Sequence, residues 1–360
     1  MDDNKEKALG FDDVLLLPAA ESEIKSRKEV DTSTKISHNN TIKYPIIASP
    51  MDTISGVDTC VALNKIGAAG ILHRFMSIEE QINQATEIKN KSGKCYIAIG
   101  LKDYKERVLD LVNNVSPNML VLDTANINTP LVKDFMNWYK HYSYMPDIMM
   151  GNTLTTESVN RAFELGASSV RHGIGTGLVC TTTDMTGIGC PPITTLYYGW
   201  KAMDFYPNKY LILDGGIRKP ADLVKAIIFG ADAVMCGGIF AGYKDTPGKP
   251  YYKTTDKERK IIKNEVFSNS WYGEHNKLYK DFRGMASYET LEKYNLSDGT
   301  QENLFVEGKE IEVPYINESV TSVVYKYVNG LRSALSYLGF NSLQEAKGSF
   351  WTGQTKGIIK

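Results

Sequence analysis

The stretch with the most chemical content is Gly173-Ile174-Gly175-Thr176-Gly177-Leu178-Val179-Cys180-Thr181-Thr182-Thr183. Glycines at alternating positions let the backbone turn sharply and approach a ligand, and they deliver Cys180 into a bed of hydroxyls. A thiol so placed is a candidate nucleophile. The thiolate is the attacking form, so amide dipoles or a cation beside such a residue favour the chemistry. Cys60, Cys95 and Cys236 fall in helical or strand-like patterns and Cys190 precedes a Pro pair, so these four read as structural thiols. The wide spacing of the five cysteines forms neither a disulfide framework nor a Cys-x-x-Cys metal pair, and no metal-ligand cluster is expected.

Two further clusters carry glycine pairs, Asp214-Gly215-Gly216 and Cys236-Gly237-Gly238. Glycines there expose backbone N–H groups that can cradle a phosphate, and an adjacent carboxylate such as Asp214 would accept hydrogen bonds from sugar hydroxyls. Together they read as a nucleotide 5'-monophosphate site, with ordinary tight turns as the plainer alternative. Ser49, Asp52, His73, Asp123, Asn126 and Asn152 follow or end apolar runs, where a strand-end hydrogen-bonding role is the simplest reading. His172 reads as a satisfied structural histidine.

These residues need a scaffold that gathers strand ends. Eight short apolar runs recur, near 45–49, 68–72, 95–100, 118–122, 147–151, 168–172, 209–213 and 232–236, with amphipathic stretches such as Ser77–Asn90, Tyr104–Asn113, Thr156–Leu165 and Pro220–Phe229 between them. Strands buried on both faces read as continuous apolar runs, so eight such steps predict an α/β fold, a (β/α)8 TIM barrel. A doubly wound open sheet is the competitor, because sequence cannot show closure. The expected organisation is one domain over 1–360, with an N-terminal arm at 1–44, a long flap insertion after strand 8 at about 243–316, and a closing helix at 318–338. In a barrel that insertion leaves from the C-terminal rim, where active sites lie.

With 41 Lys plus Arg against 42 Asp plus Glu and no block of like charge, the chain lacks the basic face that nucleic acid or an anionic membrane requires. No run reaches the ~18 apolar residues of a membrane span, and Met1-Asp2-Asp3-Asn4-Lys5 is too polar for a signal peptide. A cytoplasmic location is the resulting expectation.

The combination of GIGTGLVCTTT with DGGIRKPAD, CGGIFAG, FRGM at 282–285, FDDVLLLP at 11–18 and SPMDT at 49–53 resembles the IMP dehydrogenase and GMP reductase family over about residues 9–340. The resemblance implies a barrel at whose rim Cys180 attacks C2 of a purine mononucleotide, with hydride passing between C2 and a nicotinamide cofactor. It implies that Ser49, Gly177, Asp214, Gly215, Gly216, Gly237, Gly238, Arg283, Gly284, Met285 and Glu307 hold the nucleotide. Asp123, Ala125, Asn126, Gly173 and Gly175 would lie beside the cofactor. It further implies a homotetramer, and a monovalent cation such as K+ at the carbonyls of Gly175, Gly177 and Cys180.

Within the family the chain is a mosaic that leans towards the reductase. The dehydrogenase activates water with an Arg-Tyr pair on its flap, which is missing from Gln301-Glu302-Asn303-Leu304-Phe305-Val306-Glu307-Gly308, and it normally carries a large CBS regulatory insertion that this length leaves no room for. KSRKEVD at 25–31 and EGKEIEVP at 307–314 are reductase-like, whereas Ile71-Leu72-His73 and Arg283 look more like the dehydrogenase. The implied activity is NADPH-dependent reductive deamination of GMP to IMP and ammonia through a Cys180 thioimidate. Thr182 matches the reductase's threonine. The position of its acid is Tyr288, with Glu289 one residue later, a rotation of about 100° on a helix. The family's phosphate-holding Ser in the cysteine loop is Leu178. These departures keep three alternatives open: a relative acting on a modified or deoxy purine nucleotide, an IMP dehydrogenase, and a catalytically silent nucleotide-binding paralogue.

Overall fold

A computed structural model describes residues 7–252, 260–261, 277–294 and 306–359. Eight parallel strands follow one another in chain order: β1 (Ile46–Ala48), β2 (Ala69–Leu72), β3 (Tyr96–Ile99), β4 (Met119–Asp123), β5 (Asp147–Thr153), β6 (Ser169–His172), β7 (Tyr210–Asp214) and β8 (Ala233–Cys236). Pairing of Val234, Met235 and Cys236 with Ile46, Ile47 and Ala48 joins β8 to β1 and closes the sheet into a barrel. That pairing removes the open-sheet alternative, and each strand falls on one of the predicted apolar runs.

Side chains alternate along each strand with the period of the pleat. Ile47, Ala69, Ile71, Tyr96, Ala98, Met119, Val121, Met149, Ile212, Ala233 and Met235 fill the barrel interior. Their neighbours Ile46, Ala48, Leu72, Ile97, Ile99, Leu120, Leu122, Leu211 and Leu213 face the helical layer. Both faces are therefore apolar, which is why the strands lack an alternating polar pattern.

Helices alternate with the strands, from Val57–Ile66 after β1 to Pro220–Ile228 after β7, with two, Thr182–Thr186 and Pro192–Met203, after β6. Local sequence fixes the ends: Ser77 caps Ile78–Ser92 by accepting from the Glu80 amide at 3.1 Å, and Gly93 ends that helix in a left-handed conformation. The helix Val320–Leu338 completes the ring by lying against Pro220–Ile228. Gly330 permits that approach, since a Cβ there would come within 2.7 Å of Pro220.

The N-terminal segment is more than an arm. The hairpin Thr34–Ser37/Asn40–Ile42 inserts Ile36 and Ile42 into the interior cluster, and Val14–Leu16 pairs antiparallel with Gly357–Ile359. Between β8 and the closing helix, strands Tyr251–Tyr252, Lys260–Ile261, Leu278–Arg283 and Glu310–Pro314 form an antiparallel sheet, and Tyr288–Lys293 is a short helix. Residues Gln301 to Phe305, used above to judge the missing Arg-Tyr pair, lie outside the described residues. Among the described residues no helix is long and apolar enough to cross a membrane.

Candidate active site at the C-terminal rim of the barrel

A cavity of about 450 Å³ opens where the C-terminal ends of the strands meet the 282–286 and 307 segments. Its size and mixed lining suit a small-molecule site. Cys180 lines it, half-buried, with Sγ donating to Thr182 Oγ1 at 3.2 Å. The cysteine loop is strapped to the insertion by two backbone hydrogen bonds, Thr181 N to Glu307 O (2.9 Å) and Lys309 N to Val179 O (3.0 Å), and Gly284 N to Lys309 O (3.0 Å) ties the two insertion segments together. Gly284 must lack a side chain, since a Cβ would sit 2.8 Å from Val179 O. The thiol's position thus depends on two distant segments as well as on its own glycines.

The same cavity is lined by a charge network that sequence reasoning missed. Arg171, on β6 and only 8% exposed in its side chain, bonds Asp123 Oδ1 at 2.5 Å and Asp214 Oδ2 at 2.8 Å. Arg74 Nε bonds the other Asp123 oxygen at 2.9 Å, and Asn152 Nδ2 reaches Asp214 Oδ2 at 2.9 Å and Gly173 O at 2.6 Å. Burial raises the Asp123 pKa, but the guanidiniums of Arg171 and Arg74 outweigh it and hold the carboxyl below the usual carboxylate range. Asp214 Oδ1 has no partner among the described residues, so it can accept from a ligand hydroxyl. The available signal was a lone arginine inside the apolar run Ser-Ser-Val-Arg-His.

Of the residues expected to act in catalysis or to hold the nucleotide or cofactor, Ser49, Asp123, Ala125, Gly173, Gly175, Gly177, Cys180, Thr182, Asp214, Gly215, Gly237, Gly238, Gly284, Met285 and Glu307 line this one cavity. Four do not. Glu289 is exposed on the helix Tyr288–Lys293. Ser287 caps that helix, the buried Thr290 bonds Gly284 O at 3.1 Å, and Leu291 faces the cavity, so positions 288 and 289 turn outward. Asn126 is exposed, its side chain accepting from the Asn128 amide in a local turn. Gly216 lies behind the cavity wall, its amide donating to Thr176 O at 3.2 Å.

Arg283 points the other way, into Asp52 and Glu310. Asp52, 1% exposed, also bonds Lys293 Nζ at 3.2 Å and Tyr294 OH at 2.9 Å. Burial raises the Asp52 pKa, and the hydrogen bond and charge of Arg283 then bring it below its ordinary value. This cluster anchors the insertion to the loop after β1.

The two glycine pairs differ in what they offer. The Gly215 amide is used by Met235 O (3.0 Å), so the Asp-Gly-Gly pair holds neighbouring loops together. The amides of Gly237 and Gly238 have no acceptor among the described residues. His172 is fully buried between Thr153 Oγ1 (2.9 Å) and Thr195 O (2.8 Å), which is the structural role expected of it. No group of three or more His, Cys, Asp or Glu able to hold a metal occurs among the described residues.

Comparison with known proteins bears on what this site belongs to. A sequence model of the IMP dehydrogenase / GMP reductase domain matches residues 8–266 and 263–357. A GMP reductase of Onchocerca volvulus is 32% identical over 349 residues, covering 94% of this chain and 89% of its own. A GMP reductase of Bacillus licheniformis is 30% identical over 343 residues, 94% and 93% of the two chains. An inosine-5'-monophosphate dehydrogenase of Cryptosporidium parvum is 29% identical over 405 residues, 98% and 94%. The chain covers nearly all of that dehydrogenase, so short length by itself does not separate reductase from dehydrogenase, contrary to the expectation from length. With the barrel, the rim cysteine loop and these matches together, the chain belongs to the IMP dehydrogenase/GMP reductase family of oxidoreductases.

Proposed function

We propose that the protein is a GMP reductase, converting GMP to IMP and ammonia with NADPH. The observation that carries this reading is one cavity lined by Cys180, Thr182, Glu307 and Asp214 together. Asp214 Oδ1 accepts from the ribose hydroxyls and orients the sugar, so the purine C2 faces Cys180. The Cys180 thiolate adds to C2, and the 2-amino group must gain a proton to leave as ammonia. Loss of ammonia gives a Cys180 thioimidate.

Of the three carboxylates lining the cavity, Asp123 and Asp214 are held by Arg171, which leaves Glu307 to supply the proton. This role replaces the one expected for Glu289. Thr182, hydrogen-bonded to the thiol, sits where it can relay that proton and keep Sγ oriented.

The residues present fit a nicotinamide nucleotide: Gly173, Gly175 and Ala125 contribute a side-chain-poor wall to the cavity that Cys180 lines, and Phe75 and Arg74 also belong to its lining. NADPH, when bound, would supply the hydride that ends on C2, and the C2–S bond breaks to release IMP and restore the Cys180 thiolate. Asp123 holds the Arg74 and Arg171 guanidiniums at that wall and so fixes its shape. The overall balance is GMP, NADPH and two protons giving IMP, NADP+ and ammonium.

The likeness to the Cryptosporidium parvum dehydrogenase supports a second reading, IMP oxidation with NAD, in which hydride leaves C2 and water rather than ammonia ends on it. The test is to supply each substrate pair to the purified protein. NADPH consumption with ammonia release from GMP is the expected result, and NADH formation from IMP and NAD without any GMP-dependent turnover overturns it.

A further inference from the structure

Lys280 has no part in the chemistry above, yet it is only 2% exposed in the middle of the strand Leu278–Arg283. Its ammonium donates to the carbonyls of Tyr243 at 2.9 Å, Lys244 at 3.3 Å and Thr246 at 2.6 Å, and to Thr246 Oγ1 at 3.3 Å. The Tyr315 ring centroid lies 5.6 Å from the same nitrogen. Desolvating an ammonium costs stability that its contacts must offset, and burial brings its pKa down to about 8 although the charge of Asp245 acts the other way. A methionine of similar length would fill the space without that cost, so what the charge adds is the direction of its contacts.

The acceptors belong to a loop that is fixed to the barrel. Thr59 of the helix Val57–Ile66 donates its hydroxyl to Asp245 O at 2.8 Å, and Asp245 Oδ2 accepts from Ser319 Oγ at 2.5 Å and from the Val320 amide at 3.0 Å, where the closing helix begins. Lys280 therefore joins the insertion to the helical ring. From Lys280 the connection runs on to the reacting thiol. Its strand pairs with Glu310–Pro314, Lys280 opposite Val313 and Arg283 opposite Glu310. The residues just before that second strand make the strap, with Lys309 N on Val179 O and Thr181 N on Glu307 O.

We propose that Lys280 is a positioning residue for Cys180: its buried ammonium sets the place of the insertion's sheet on the barrel, and the 307–309 segment at the edge of that sheet sets the place of the cysteine loop. The inference takes Cys180 as the reacting thiol, as the proposed function does. Removing the ammonium frees the sheet to shift, and a displacement of about 1 Å at the reacting atoms can cost about a hundredfold in rate. Ligand groups on the barrel strands, such as Asp214, keep their places, so the loss falls on kcat more than on KM.

Hydrogen–deuterium exchange of the intact protein reads this coupling without any substrate. In Lys280→Met, peptides covering 177–183 and 306–312 should exchange at least about tenfold faster than in the wild type, while a peptide covering 118–123 on β4 stays within about twofold. The kcat for GMP should fall by about tenfold or more with KM within about threefold. Thr246→Val keeps the shape of its side chain, removes one acceptor, and should raise exchange in the same two peptides by a smaller factor, which supplies the test should Lys280→Met not fold. Unchanged exchange in the 177–183 peptide, an equal rise in all three peptides, or an unchanged kcat overturns the inference. Faster exchange in both rim peptides with no GMP turnover by the wild type supports the coupling and overturns the proposed function instead.

Discussion

Replacing Arg171 by Gln removes the cation that joins the two sides of the cavity. Its guanidinium is 8% exposed and contacts Asp123 at 2.5 Å and Asp214 at 2.8 Å. Removing one partner of a buried pair costs about 3–5 kcal/mol, because the remaining charge is left uncompensated. Arg74 still bonds Asp123, so a loss near 3 kcal/mol at neutral pH is expected.

The loss depends on pH in a definite direction. In the wild type the Asp123 pKa is lowered, so its ionised form contributes stability above the ordinary carboxylate range, and that contribution is lost as pH falls through the folded pKa. In Arg171→Gln the desolvation of Asp123 is no longer outweighed, and its ionisation disfavours the folded state instead. Urea unfolding of both proteins across acidic to neutral pH should therefore show a stability gap that is widest at neutral pH and closes as Asp123 protonates. The same variant should weaken both substrate and cofactor affinity, since Asp123 and Asp214 lose their common anchor. A gap below about 1 kcal/mol, typical of an exposed pair, or one independent of pH, would refute the electrostatic reasoning.

Two further outcomes follow from buried and cavity-lining groups. Burial pushes the His172 imidazole down to about 4 from an ordinary value of 6.5, so the neutral form stabilises the fold above that ordinary value. Stability is lost as pH falls from there towards the folded pKa, and His172→Gln should remove roughly 3 kcal/mol of that acid-side loss; an unchanged acid limb in unfolding curves would rule out the histidine as its source. Glu307→Gln should lower kcat for GMP by about a hundredfold or more, the usual worth of a positioned acid, and abolish the basic-side fall of the pH–rate profile. A tenfold or smaller effect with the profile intact would return the acid's role to another group.

The barrel was legible because its strands are buried on both faces, which leaves apolar runs such as YPIIAS and CYIAIG without a polar stripe. Cys180 was legible because a cluster of glycines and hydroxyl residues surrounds it at the end of an apolar run. The hairpin at 34–42 was not: its contribution to the barrel interior is only Ile36 and Ile42, too few residues for a pattern. Arg171 was missed since its meaning lies in Asp123 and Asp214, 48 and 43 residues away along the chain. Glu289 was misplaced by register. Motif spacing counts residues, whereas the Ser287 cap and the buried Thr290 decide which face of the helix turns inward. Arg283 was assigned to the ligand through the FRGM motif of the family resemblance, and nothing in the sequence marked the buried Asp52 as its partner.

Covalent chemistry at Cys180 is tested most directly by comparing wild type and Cys180→Ser for NADPH consumption and ammonia release with GMP, alongside GMP binding by calorimetry. The wild type should release one ammonia for each NADPH consumed, and the variant should bind GMP while turning over none. A variant that keeps wild-type turnover would contradict a nucleophilic role for Cys180.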